Sequence, residues 1–121
     1  MKYTHVGTNK EVLYIKSDGL LITDPQSALD CIMTAQYETG CRSMIMQKDA
    51  ICEDFFKLSS GLAGEILQKF INYHIKLAIV GDFSQYTSKP LQDFIYECNK
   101  GKDIFFAASL DEAAEMLNLV S

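Results

Sequence analysis

The sequence predicts an α/β domain, a mixed and mostly parallel sheet with helices packed on it, in the order ββαβαβαβα. Three observations predict it. Short apolar runs alternate with longer stretches whose apolar residues recur at helical spacing. Cap residues, prolines and glycines fall at the junctions between the two kinds of segment. One run, Leu77-Ala78-Ile79-Val80, is apolar without interruption, as expected of a strand covered on both faces. Such alternation favours right-handed crossovers and parallel strands.

Residues 2–6 and 11–15 flank the turn-forming Gly7-Thr8-Asn9-Lys10 and read as an antiparallel hairpin. Gly19 and the apolar Leu20-Leu21-Ile22 leave the end of the second strand open. Thr23-Asp24-Pro25 then sets cap residues ahead of a proline suited to a first helical turn. Leu29, Ile32, Met33, Gln36 and Tyr37 follow at helical spacing, and Gly40 stops that helix. Ser43-Met44-Ile45-Met46 is a short strand, and residues 50–58 form a loop or a short helical turn. The main helix starts at Ser59 or Ser60. Along it Leu62, Ile66 and Phe70 make one apolar row, and Ala63, Leu67 and Ile71 the adjacent one, wide enough to cover a sheet. Glu65 and Lys69 lie four apart on its exposed side.

Residues 76–81 give the central strand. Ser88-Lys89-Pro90 opens the next helix, with Leu91, Phe94, Ile95 and Cys98 on one face, and Gly101 ends it. Ile104-Phe105-Phe106-Ala107 is the last strand. Ser109-Leu110-Asp111-Glu112 forms a capping box for a final helix carried by Leu110, Ala113, Ala114 and Leu117. No linker, repeat or low-complexity segment divides the 121 residues, so a single domain over 1–121 is expected. It is too short for a full dinucleotide-binding fold.

Hydrophobic residues make up 48% of the chain and charged residues 22%, enough apolar surface to build a core. Eleven basic residues stand against 16 acidic, a net charge of −5, which disfavours capture of a phosphate backbone and argues for no nucleic-acid partner. No run approaches the ~20 apolar residues that span a bilayer, and the first residues lack signal-peptide features. A soluble cytoplasmic protein with no membrane partner is therefore expected. Cys31, Cys41, Cys52 and Cys98 have no C-x-x-C spacing and only His5 and His74 to join them. Reduced, mostly buried thiols are expected rather than disulfides or a zinc site, and no metal.

Ser59-Ser60-Gly61-Leu62 sits between an extended run and an amphipathic helix. With the element order around it, it resembles the STAS domain, the fold of bacterial anti-sigma factor antagonists. There a strand leads into a D-S-S-G-like loop that opens a helix. The resemblance implies that Ser59 matches the serine phosphorylated by a partner kinase. Leu58 stands where the antagonists carry aspartate, and Glu53 and Asp54 are the nearest acids upstream. A second resemblance is to a small bacterial family of uncharacterised, STAS-like domains. It is carried by Gly61-Leu62-Ala63-Gly64-Glu65-Ile66-Leu67-Gln68-Lys69-Phe70 and by Lys76-Leu77-Ala78-Ile79-Val80-Gly81-Asp82-Phe83-Ser84. Tyr86-Thr87-Ser88-Lys89 and Asp93-Phe94-Ile95-Tyr96-Glu97 extend it. That family implies membership and brings no assigned activity.

Two places can hold chemistry. Ser59, Ser60 and Gly61 form a candidate phospho-acceptor or anion site, because a helix N-terminus carries unpaired N–H donors and partial positive charge. The plainer reading makes one serine a helix cap. Gly61 and Gly64 allow close approach, either of the helix to its own sheet or of a partner to the helix. Asp54, Asp82, Ser84, Tyr86, Thr87 and Lys89 form a candidate polar pocket, since ligands favour the carboxyl ends of strands in open α/β sheets. Turn and cap chemistry is the alternative for that loop. No catalytic constellation is visible: His74 lies at the helix end opposite Ser59, and Glu53 and Asp54 are adjacent and point apart. Gly-x-x-Gly lacks the Gly-Lys-Ser/Thr of a phosphate loop, so no cofactor is expected.

The expectation is a non-enzymatic regulatory or protein-interaction module of STAS type, switched by phosphorylation or anion binding at Ser59. Its partner is an unknown protein, or a second copy joined through a sheet edge or exposed helix. The alternative is a small-molecule-binding domain or unrecognised enzyme using the 82–89 loop.

Overall fold

Why the sheet forms in this order follows from its connections. A computed structural model describes residues 2–6 and 12–120. It is α/β, with a five-stranded mixed sheet and four helices. β1 (Lys2–Val6) pairs antiparallel with β2 (Val12–Lys16), and the turn predicted at Gly7–Lys10 lies outside the described residues, as does Glu11. Next come α1 (Pro25–Thr39), β3 (Ser43–Gln47), α2 (Leu62–Asn72), β4 (Lys76–Val80), α3 (Lys89–Lys100), β5 (Ile104–Ala107) and α4 (Leu110–Val120). The strands lie side by side as β1-β2-β3-β4-β5, with β2 through β5 parallel.

Each parallel crossover steps one strand in the same direction. A right-handed crossover repeated that way puts every connecting helix on one face. Accordingly Ile32 of α1, Ile66 and Phe70 of α2 and Leu91 of α3 share a core with Leu13, Met44, Leu77, Ile79 and Phe106. α4, which follows β5, takes the other face. Ala113 and Leu117 of α4 pack on Ile45, Ala78, Val80 and Phe105. β4, between two neighbours and under helices on both faces, is the uninterrupted apolar run of the sequence.

Local signals explain most boundaries. The Asp24 carboxylate accepts the Ser27 N–H at 2.7 Å while the Ser27 hydroxyl accepts the Asp24 N–H at 3.0 Å, a reciprocal cap. These bonds hold the Asp24 carboxyl below its ordinary range. Gly40 ends α1 at φ 73, a left-handed conformation that costs a side chain about 1 kcal/mol or more. Ser88 accepts the Leu91 N–H to open α3, and Ser109 accepts the Glu112 N–H to open α4.

Some expectations need correction. α2 begins at Leu62 rather than Ser59 or Ser60, because Gly61 takes φ 76 and breaks the helical path. Residues 48–60 fold as three short 3-10 turns, with Ile51 making a single bridge to Ile22. On α1 the inward face is Ala28, Cys31, Ile32 and Ala35, so Met33 and Tyr37 point outward, Tyr37 being 93% exposed. On α2, Ile71 is 41% exposed. Gly64 is exposed and a Cβ there would meet open space, so close docking of helix on sheet does not explain it.

All four cysteines are free thiols, two of them buried. Among the described residues no helix is long and apolar enough to cross a membrane. The β5 edge is occupied by a side chain: the Asn99 amide accepts the Phe106 N–H at 2.8 Å and donates to the Phe106 carbonyl at 3.2 Å. Phe70 is fully buried beneath α1 and the sheet, so Phe70→Ala should cost about 3–5 kcal/mol in urea unfolding. Gly40→Ala, which only strains the chain, should cost about 1 kcal/mol by the same measurement.

Candidate functional site

Parallel strands gather their outgoing loops at one end of a sheet, and here the loops after β3 and β4 are neighbours. Between them lies an open groove of about 480 Å³, within the range of small-molecule sites. Glu53, Phe56, Leu58 and Ser59 line one wall, and Tyr86, Thr87, Ser88 and Leu91 the other.

The groove rests on an aromatic cluster. Phe56 stacks on Tyr86 with centroids 5.2 Å apart, and Phe83 meets Phe106 of β5 edge to face at 5.3 Å. Across it runs a hydrogen-bonded chain of three side chains. The Lys48 ammonium donates to the Tyr86 hydroxyl at 3.2 Å, and that hydroxyl donates to Glu53 Oε1 at 2.9 Å. The ammonium also stands 5.3 Å from the Tyr86 ring centroid and 5.8 Å from that of Phe56. Burial works to lower the Lys48 pKa, but Tyr86, Glu53 and Asp49 prevail and it titrates above the ordinary lysine range.

Gly81 makes this route passable. A Cβ at Gly81 would lie 2.6 Å from Lys48 Cδ and 2.9 Å from Cγ, so the lysine stem crosses where only a hydrogen fits. Chain identity at the end of β4 thus sets where the charge at the end of β3 can reach.

The residues singled out in the sequence divide into four groups. Ser59, Tyr86 and Thr87 line the groove. Ser60 and Gly61 shape the turn beside it: the Ser60 hydroxyl donates to the Asp54 carbonyl at 2.9 Å and accepts the Leu62 N–H at 3.2 Å. Asp82 and Ser84 close their own turn, Asp82 Oδ1 accepting both the Ser84 N–H and its hydroxyl. Those bonds, with a smaller contribution from Lys48, hold Asp82 below the usual carboxylate range. Lys89 and Asp54 lie outside the groove lining. Lys89 pairs with Asp93 at 3.2 Å on exposed α3, and Asp54 stands 3.7 Å from Lys57.

Sequence reasoning passed over Lys48 and Phe56, and weighed Glu53 only as an acid upstream of Ser59 and as one of two adjacent carboxylates that point apart. Lys48 was findable, since it follows β3 directly and strand carboxyl ends collect ligand-facing groups. The places of Glu53 and Phe56 in the groove gave no signal, because they depend on how the 3-10 turns fold over the sheet. Among the described residues no three His, Cys, Asp or Glu side chains gather as a metal would require.

Fold and groove together define a small α/β domain with a polar cleft, floored by aromatics, at the carboxyl ends of its strands. The chain belongs to a family described as a domain of unknown function (DUF4180), whose model matches residues 7–117. No curated protein and no solved structure matches it.

If the lysine stem needs the space above Gly81, Gly81→Ala destabilises the wild type more than it destabilises a Lys48→Ala background. A double-mutant cycle by urea unfolding should give a coupling of about 0.5–3 kcal/mol, and additive effects would break the link.

Proposed function

We propose that this chain is a non-enzymatic regulatory or protein-interaction module of STAS type, working in the cytoplasm, that presents the Ser59 turn to a protein partner. One observation carries the reading: two adjacent serines have divided their roles. Ser60 is committed to the turn through both of its hydroxyl bonds. Ser59 is exposed on the groove rim and its hydroxyl makes no hydrogen bond among the described residues. A residue needed for capping would be tied down, so Ser59 is available for modification.

The surroundings support that role. α2 opens directly after the turn, and its first-turn N–H groups and dipole favour negative charge nearby. A phosphate on Ser59 would add about −1.5 to −2 charge and three strong acceptors to a surface of mixed polarity. That changes which partner surface fits. The consecutive parallel strands and the turn opening α2 support reading the chain through its resemblance to STAS domains.

Intact-mass measurement on protein from its native host should find a singly phosphorylated fraction that disappears in Ser59→Ala. Unmodified wild type, with the same partners recovered by wild type and Ser59→Ala, sinks the switch.

The dimensions of the groove favour a second reading, a small-molecule site in which Glu53 and Tyr86 meet the polar part of a ligand and Phe56 and Leu91 its apolar part. A melting screen with anions and nucleotides should then give a shift that Tyr86→Phe and Glu53→Gln abolish. A screen in which no compound moves the melting temperature counts against this second use.

A further inference from the structure

The amino ends of the strands hold a second cavity, of about 510 Å³, bordered by Cys41, Arg42, Ser43, His74 and Lys76. The feature that singles it out is a contact between a thiol and an imidazole. Cys41 Sγ lies 3.6 Å from Nδ1 of His5 on β1. Gly40 in its left-handed conformation turns the chain out of α1, and the Thr39 hydroxyl accepts the Cys41 N–H at 3.2 Å. The thiol is therefore held in place against the ring.

The four cysteines are not equivalent. Burial pushes the Cys31 and Cys98 thiols up to about 11, where they stay protonated and inert. Cys52 points its sulfur at the Thr23 carbonyl, 3.6 Å away, which can only accept its proton in a hydrogen bond. Cys41 alone of the four contacts a basic nitrogen among the described residues and also borders a cavity.

The cavity wall suits an acidic visitor. The Arg42 guanidinium makes no hydrogen bond or ion pair among the described residues, while its carbonyl accepts the Lys76 N–H at 2.9 Å. The Lys76 ammonium donates to the Lys102 carbonyl and stands 3.6 Å from Asp103. Ser43 is 6% exposed, yet its hydroxyl has no hydrogen-bond partner among the described residues. Ser43 thus brings an open hydroxyl to the cavity wall. The carbonyl ends of α1 and α2 lie at this end too, and Glu38 and Asp103 are acids close by. Arg42 and Lys76 are the permanent cations on the cavity wall.

We propose that Cys41, with His5 as its base, is a thiol-modification site that exchanges with small acidic disulfides entering this cavity. With its own proton on Nε2, His5 accepts the thiol proton at Nδ1. The Cys41 sulfur then attacks one sulfur of the disulfide, a new S–S bond forms, and the old one breaks. The departing thiolate carries away the electron pair and takes the proton from His5. Cys41 is oxidised to a mixed disulfide and the incoming disulfide is reduced to one thiol. Carboxylates on the reagent face Arg42 and Lys76. The site lies at the opposite end of the sheet from Ser59 and is independent of the role proposed there.

The test uses the full chain with dithiodiglycolate, an acidic disulfide, and with the neutral bis(2-hydroxyethyl) disulfide, followed by peptide mass mapping. Cys41 should be modified first of the four, roughly tenfold faster than Cys52 at pH 7. His5→Gln should slow it by roughly tenfold at pH 7 and much less at pH 9, where a thiol ionises unaided. Arg42→Gln should slow the acidic reagent and leave the neutral one unchanged, a selectivity that stands even if His5→Gln folds poorly. First modification at Cys52 or Cys98 overturns the proposal. So does a well-folded His5→Gln protein reacting at the wild-type rate at pH 7.

Discussion

β4 lies between β3 and β5 with Leu77, Ala78, Ile79 and Val80 all buried, so both of its faces must be roofed by helix. Three helices are supplied to one face by crossovers of a single hand, and the other face depends on α4. Parallel strands also give the molecule two unlike ends. At the carboxyl end the N-termini of α2 and α3 meet the loops after β3 and β4, around the groove. At the amino end the chain re-enters from helix C-termini, and basic side chains collect there. The two places with chemical potential thus differ in character because one buried strand fixes the direction of all the rest.

The carboxyl end is held by unlike contacts that depend on one another. The Lys48 stem needs the bare backbone of Gly81, its ammonium needs Tyr86, and Tyr86 needs the Phe56 ring and the Glu53 carboxylate. Hydrophobic stacking sets the position and the polar chain sets the orientation. Surface salt bridges such as Lys89–Asp93 and Lys57–Asp54 add little, being well exposed and screened. The groove wall is rigid where aromatic packing holds it and open where Ser59 and Thr87 reach the rim.

Much of the fold was legible because it rests on local rules. The Asp24–Pro25 cap, the Gly40 and Gly101 stops, the Ser88 start and the apolar run of β4 each follow from chemistry within a few residues. What could not be read depends on distant packing. The outward turn of Met33 and Tyr37 reflects which side of α1 meets α2, and four residues of spacing cannot distinguish neighbouring faces. Ser59 and Ser60 differ only because Asp54, six residues before Ser60, offers a carbonyl to one of them. Of the candidate pocket residues, Tyr86 and Thr87 line the groove and Asp82 and Ser84 close their own turn, while Lys89 pairs with Asp93, its neighbour one turn along the helix. Cys41 and His5 are 36 residues apart in the chain, and no spacing rule links them.

Asn99 has a consequence for how copies of this molecule can meet. Its amide occupies the outward backbone groups of Phe106, so at that residue the β5 margin is closed to an incoming strand. β1 forms the other margin, and among the described residues no strand lies beyond it. The two margins therefore differ in what they offer a strand. Two molecules joined through β1 would turn their β5 margins, each capped at Phe106, outward. At Phe106 a single amide side chain stands where a sixth strand would otherwise bond.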